Sequence, residues 1–149
     1  MTKQERCAYA FDCHASGLNC AQSVLAAFTE ETGLSDELSL AICSGFGFGM
    51  RCGSICGVVA AATVALGMCY PHTRENGAEG KRRSGELTKE FEARFMNQFG
   101  NLECRELKAN PTGEGTEMAK ALNCEAHCRK MVVSGTELLH DMLSELKEK

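Results

Sequence analysis

The chain has 149 residues, 44% hydrophobic and 24% charged, enough to bury a core in one domain spanning 1–149 without covalent staples. Its net charge of −4 at pH 7 excludes a general electrostatic attraction to nucleic acid or to an anionic membrane. Ten cysteines are too few for a short disulfide-stapled secreted scaffold and far more than packing requires.

The opening MTKQERCAYAFDCH carries Lys3, Glu5, Arg6 and Asp12 and no apolar stretch, so it does not read as a signal peptide. A cytoplasmic, reducing setting is expected, and there many cysteines point to metal or redox chemistry. Apolar residues recur with helical spacing and no strand-like alternation stands out. The expected fold is therefore all-α, a single-domain helical bundle around a central buried Cys/Gly/Ala-rich helix. A first helix is predicted over residues 3–14, broken by Gly17. Asn19 or Ser16 caps a second over about 20–31, with Ala21, Val24, Leu25 and Phe28 inward and Gly33 at its end. Ser35 or Asp36 caps a third, which stops at GFGFG, residues 45–49.

The fourth predicted helix is RCGSICGVVAAATVALGMCY, residues 51–70, ending near Met68 ahead of Pro71. Residues 52–73 carry no charge, which raises the question of a membrane span. Only Ile55, Val58, Val59, Val64 and Leu66 favour lipid strongly, and no aromatic belt or second span accompanies them. A helix apolar all round is expected instead to be the buried centre of the domain. The polar loop HTRENGAEG leads to a fifth helix over about 79–99, whose Leu87, Phe91, Phe95 and Phe99 form a core stripe. A helical turn at 102–108 and the connection NPTGEG precede a last helix over about 116–147.

Two cysteine pairs, Cys52/Cys56 and Cys124/Cys128, stand at i and i+4 within predicted helices. That spacing puts both sulfurs of a pair on one face, with Cβ atoms about 5–6 Å apart. Such a pair can give two ligands to one metal or approach disulfide range after local adjustment. Cys20 opens a helix in GLNCAQS, where backbone N–H groups and the helix dipole favour a thiolate. Cys104, in LECREL, opens another turn of helix. Cys7, Cys43 and Cys69 fall at packing positions, and Cys13 lies off its helix stripe. His14 and His127 adjoin cysteines, although His127 points about 100° away from Cys128 on a helix. GFGFGM lacks the strand before it and the GK[ST] after it that a phosphate cradle needs; its glycines suit close backbone approach.

With GLNCAQSVLAAF, GFGFGMRCGSICGVVAAATVALG, CREL and CRKMVVSGTELL assembled, the chain resembles the redox-active family named for its C-GCAxxG-C-C cysteine pattern. The resemblance picks out Cys20, Cys56, Cys104 and Cys128 as site residues. It departs from the pattern in Cys56-Gly57-Val58-Val59-Ala60-Ala61, where valine replaces the alanine and alanine the final glycine. Cys52 and Cys124 stand outside the four-cysteine pattern and are expected as auxiliary members of the site. What the resemblance implies is a redox-active role, with an iron–sulfur prosthetic group as one option.

Two classes of function remain open on these residues. In the first, Cys20, Cys56, Cys104 and Cys128 ligate an iron–sulfur cluster or work as metal-free dithiols. Cys20 is then the expected attacking thiol and Cys56 or Cys52 its resolving partner. In the second, the same sulfurs, with Cys52 and Cys124, hold a structural zinc or another soft metal. Nothing in the residues names a redox partner or an oligomeric state.

Overall fold

Capping residues set where the helices begin in the computed structural model, which describes residues 1–149. Thr2 accepts from the Glu5 N–H while the Glu5 carboxylate accepts from the Thr2 N–H, and this capping box opens α1, Lys3–Ala15. Asn19 and Gln22 make the same reciprocal pair at α2, Cys20–Leu25. The chain continues through a 3₁₀ turn, Ala26–Phe28, into α3, Thr29–Thr32, which Gly33 ends at φ 74°. Ser35 caps α4, Asp36–Ile42. The remaining helices are α5, Gly57–Cys69; α6, Gly77–Phe99; α7, Cys104–Ala109; α8, Glu117–Ala121; and α9, His127–Glu148.

The fold is all-α, as expected, with one isolated antiparallel bridge between Ile55 and Glu103. α5 is the central helix: Val58, Val59, Ala61, Ala62, Ala65 and Leu66 are buried, and α2, α6 and α9 pack around it. The predicted stripe of α6, Leu87, Phe91, Phe95 and Phe99, closes the same core with Met131, Leu139 and Met142 of α9. Small residues let these helices approach closely. No helix is long and apolar enough to cross a membrane.

Two predicted helices are shorter than expected, and the corrections decide the site. The segment 51–70 is not helical throughout, because Phe48, Gly49, Met50 and Arg51 form a left-handed turn with φ of 48°, 53°, 62° and 64°. Left-handed backbone costs a non-glycine residue roughly 1–2 kcal/mol, so something outside the turn must hold it. Lys108 lies 5.0 Å over the Phe48 ring, and the Arg105 guanidinium donates to the Cys52 carbonyl at 3.0 Å. Gly49 is obligatory, since a Cβ there would stand 2.4 Å from the Ser54 carbonyl oxygen. Cys52 therefore sits in the turn and Cys56 at the N-cap of α5, not on a common helix face.

The expected helix over 116–147 is likewise split. Asn123 adopts φ 52° after the C-terminus of α8, a conformation asparagine tolerates better than most residues. Cys124 is thereby left in the connection while Cys128 is the second residue of α9. Both i, i+4 pairs straddle a helix start.

The approach of α9 to α5 gives a test of the packing. A Cβ on Gly135 would lie 2.1 Å from Val58 Cγ1, a stiff β-branched side chain. G135A is expected to destabilise the protein by about 1–3 kcal/mol, read as a lower urea midpoint. The double variant V58A/G135A should recover part of that loss. An unchanged midpoint for G135A would show that the interface is looser than described.

Candidate functional site

The four cysteines singled out by the sequence pattern all occupy helix starts. Cys20 is the first residue of α2, Cys56 the N-cap of α5, Cys104 the first residue of α7 and Cys128 the second of α9. Backbone contacts bring these starts together. The Cys56 N–H donates to the Leu102 carbonyl at 2.8 Å and the Cys104 N–H to the Ser54 carbonyl at 2.7 Å, so the entries to α5 and α7 are paired like two short strands. Gly57 lets α5 meet α2: a Cβ there would stand 3.1 Å from the Ala21 nitrogen and 3.2 Å from the Phe46 oxygen. Asn19 Nδ2 donates to the Cys43 carbonyl at 3.1 Å and fixes the end of α4 beside the start of α2.

Each of the four thiols is shifted by at least one of the others. Cys20 is held well above the ordinary thiol range, first because it donates its S–H to Cys128, then by burial, then by the charges of Cys56, Cys128 and Cys104. Cys128 is drawn down to about 6 by that hydrogen bond from Cys20, helped by the Lys108 ammonium and opposed by burial. Burial pushes Cys56 up to about 12, against the pull of the Val58 and Val59 N–H groups. Burial also raises Cys104, with Lys108 pulling the other way and Cys128 adding to the rise. The Cys20–Cys128 pair therefore favours losing one proton before two, with Cys128 the more acidic member, while burial raises Cys56 and Cys104.

The activated sulfur thus differs from the expected one. Cys20 does open a helix, but α2 has six residues and the Cys20 sulfur is surrounded by other thiols. Cys128 is less enclosed, opens a 22-residue helix and has Lys108 nearby. Cys52 and Cys124 do not join the group. Cys52 is exposed and donates to the Gly49 carbonyl at 3.5 Å, whereas Cys124 is buried with Cys7, Ala119 and Val133 in a separate small cluster. Cys43 is buried, Cys69 bonds the Glu31 carbonyl, and Cys7 is pushed up to about 12 by burial.

Of two neighbours of the thiols, Lys108 was not read from the sequence, and His14 was read only as adjoining Cys13. Lys108 stands four residues after Cys104, one helical turn on, and i+4 spacing is the signal that could have found it. His14 Nε2 lies 3.7 Å from the Cys20 sulfur, brought there by the turn at Gly17 between α1 and α2. His127 is turned away, its ring edge-on to Phe99 at 5.7 Å. Thiolates are the right donors for a cluster or for zinc. Yet no three His, Cys, Asp or Glu side chains are arranged to hold an ion. As placed, the thiols do not fit a preformed metal nest.

Comparison with known proteins gives one finding. A family model described as "Putative redox-active protein (C_GCAxxG_C_C)" matches residues 18–142. No curated protein and no solved structure matches the chain.

The order of thiol acidity is measurable. Iodoacetamide labelling of the reduced protein, mapped by peptide, should modify Cys128 faster than Cys56 or Cys43 at pH 7, because only Cys128 is then a thiolate. A lowered thiol pKa means the labelling rate climbs as pH rises through about 6 and levels off above it. C20A removes the donor and should move that midpoint up. A Cys128 midpoint in the ordinary range of about 8–9 in the unsubstituted protein would contradict that order.

Proposed function

The chain belongs to the C_GCAxxG_C_C family, and from that premise we propose a redox protein whose working couple is the dithiol Cys20–Cys128. The observation that carries this reading is the meeting of two helix starts, which sets Cys20, first in α2, beside Cys128, second in α9, with Cys128 drawn down by Cys20 as the more acidic of the two. Attack on a disulfide requires a thiolate, and closure requires a second thiol within reach. Cys128 supplies the first and Cys20 the second. Burial raises Cys56 and Cys104, so they stay protonated beside the couple. The setting proposed is the reducing cytoplasm, where the dithiol form is the resting one.

The exchange balances with a disulfide substrate, R–S–S–R, as oxidant. The Cys128 thiolate attacks one substrate sulfur, a Cys128–S–S–R bond forms and RS⁻ leaves. The Cys20 thiol then loses its proton to the departing thiolate and attacks Cys128 Sγ. The Cys20–Cys128 disulfide forms and the second RS⁻ leaves. In sum, the thiolate, the thiol and R–S–S–R give the internal disulfide, one RSH and one RS⁻, with two electrons passed to the substrate. No three of the His, Cys, Asp or Glu side chains are arranged to hold an ion, which favours the dithiol reading over a cluster or zinc on the same four cysteines.

Anaerobic purification followed by oxidation with glutathione disulfide separates these readings. The expected result is a colourless protein without stoichiometric metal that forms a Cys20–Cys128 bridge on peptide mapping, lost in C128S. A brown protein with stoichiometric iron, or one carrying zinc that blocks thiol labelling, would replace the dithiol reading with the metal one.

A further inference from the structure

His14 lies outside the residues 18–142 that the family model covers, and nothing in the cysteine pattern calls for it. Its hydrogen bonds are nevertheless specific. The Arg129 Nε–H donates to His14 Nδ1 at 3.1 Å. Nδ1 is therefore the lone-pair nitrogen, and the proton of the neutral ring is on Nε2. Nε2 is the atom 3.7 Å from Cys20 Sγ, so the ring donates to that sulfur. An imidazolium would set Nδ1–H against the Arg129 N–H, and burial and the Arg129 charge both hold His14 neutral. Arg129 is itself anchored, its guanidinium 5.2 Å above the Phe11 ring. The two hydrogen bonds run in one direction, Arg129 to His14 to Cys20.

We propose that His14 is a catalytic residue of this dithiol couple, donating its Nε2–H to Cys20 Sγ as that sulfur becomes the attacking thiolate, with Arg129 as the positioning residue that fixes the tautomer. The inference rests on the dithiol reading above and deepens it. Cys20 is the poorer thiolate of the pair and sits among other sulfurs, so its second-step attack needs a donor that the first step does not. His14 gives a hydrogen bond and no proton. The ring stays neutral, and the Cys20 proton leaves with the departing RS⁻ as RSH. The attack then forms the Cys20–Cys128 bond and breaks Cys128–S–R.

Quenched peptide mapping after mixing reduced protein with glutathione disulfide follows the two steps separately. His14→Phe keeps a ring but removes the donor, and His14→Gln restores an N–H at a similar reach. The Cys128–glutathione mixed disulfide should form at the same rate in all three proteins. It should resolve about tenfold or more slowly in His14→Phe, the loss expected for a hydrogen bond to a charged group, and near the original rate in His14→Gln. Equal resolution in His14→Phe and the unsubstituted protein would overturn the proposal, as would a loss in which both steps slow together. Failure of the dithiol reading looks different: the unsubstituted protein gives no Cys20–Cys128 bridge, and the proposal falls with it. Should His14→Phe not fold, ¹⁵N shifts of the His14 ring in the intact protein decide. Nε2–H at neutral pH supports the assignment, and Nδ1–H or an imidazolium there overturns it.

Discussion

Close approach of helix starts is the constraint on which the rest depends. A helix start is the one place where a folded chain presents unpaired N–H groups and a positive dipole end. Here α2, α5, α7 and α9 each place a cysteine at or next to that end. The approach is possible because the contacts are made by backbone and small residues: Gly57 against Ala21, Gly135 against Val58, and the bridged segments at 54–56 and 102–104. The apolarity of α5 on all sides follows from the same arrangement, since α2, α6 and α9 enclose it.

The left-handed turn at 48–51 is the cost of that arrangement. A helix continued back from α5 through Cys52 would have kept the two sulfurs on one face but denied Cys56 a helix start. The turn instead doubles the chain back, with the Ser54 N–H donating to Gly49 at 2.9 Å, and releases residues 54–56 to pair with 102–104. Three non-glycine residues then hold positive φ, and α7 offsets part of this through Lys108 on Phe48 and Arg105 on the Cys52 carbonyl. Thus α7 supports the turn with the same residues that flank its own cysteine, and Lys108 also stabilises the Cys128 thiolate.

Helix content and the central place of α5 were legible because apolar periodicity and the missing charge in 52–73 admit few alternatives. The caps at Asn19 and Ser35 were legible for the same local reason. The two breaks were not, since Phe48, Met50 and Arg51 carry no left-handed preference and their conformation is imposed by contacts with α7. Asn123 was a weaker version of a readable signal, an αL-tolerant residue inside an otherwise continuous pattern. Position alone marked Cys20 as the acidic thiol. It could not register that Cys20 is the more crowded member of its pair, because crowding is set by residues 36 to 108 positions away: Cys56, Cys104 and Cys128.

In the proposed dithiol exchange, crowding also dictates the order of events at the site. A negative charge on one clustered sulfur disfavours a second, and the Cys128 charge raises each of Cys20, Cys56 and Cys104. The charge that makes Cys128 reactive is therefore the charge that keeps Cys20 protonated. When Cys128 becomes part of a mixed disulfide its charge disappears, and with it both the Coulombic penalty on a Cys20 thiolate and the acceptor that held the Cys20 proton. Cys20 becomes easier to ionise at the moment its attack is required, with the His14 N–H already directed at its sulfur. No conformational signal is needed to pass the role from one thiol to the other; neutralising the first activates the second.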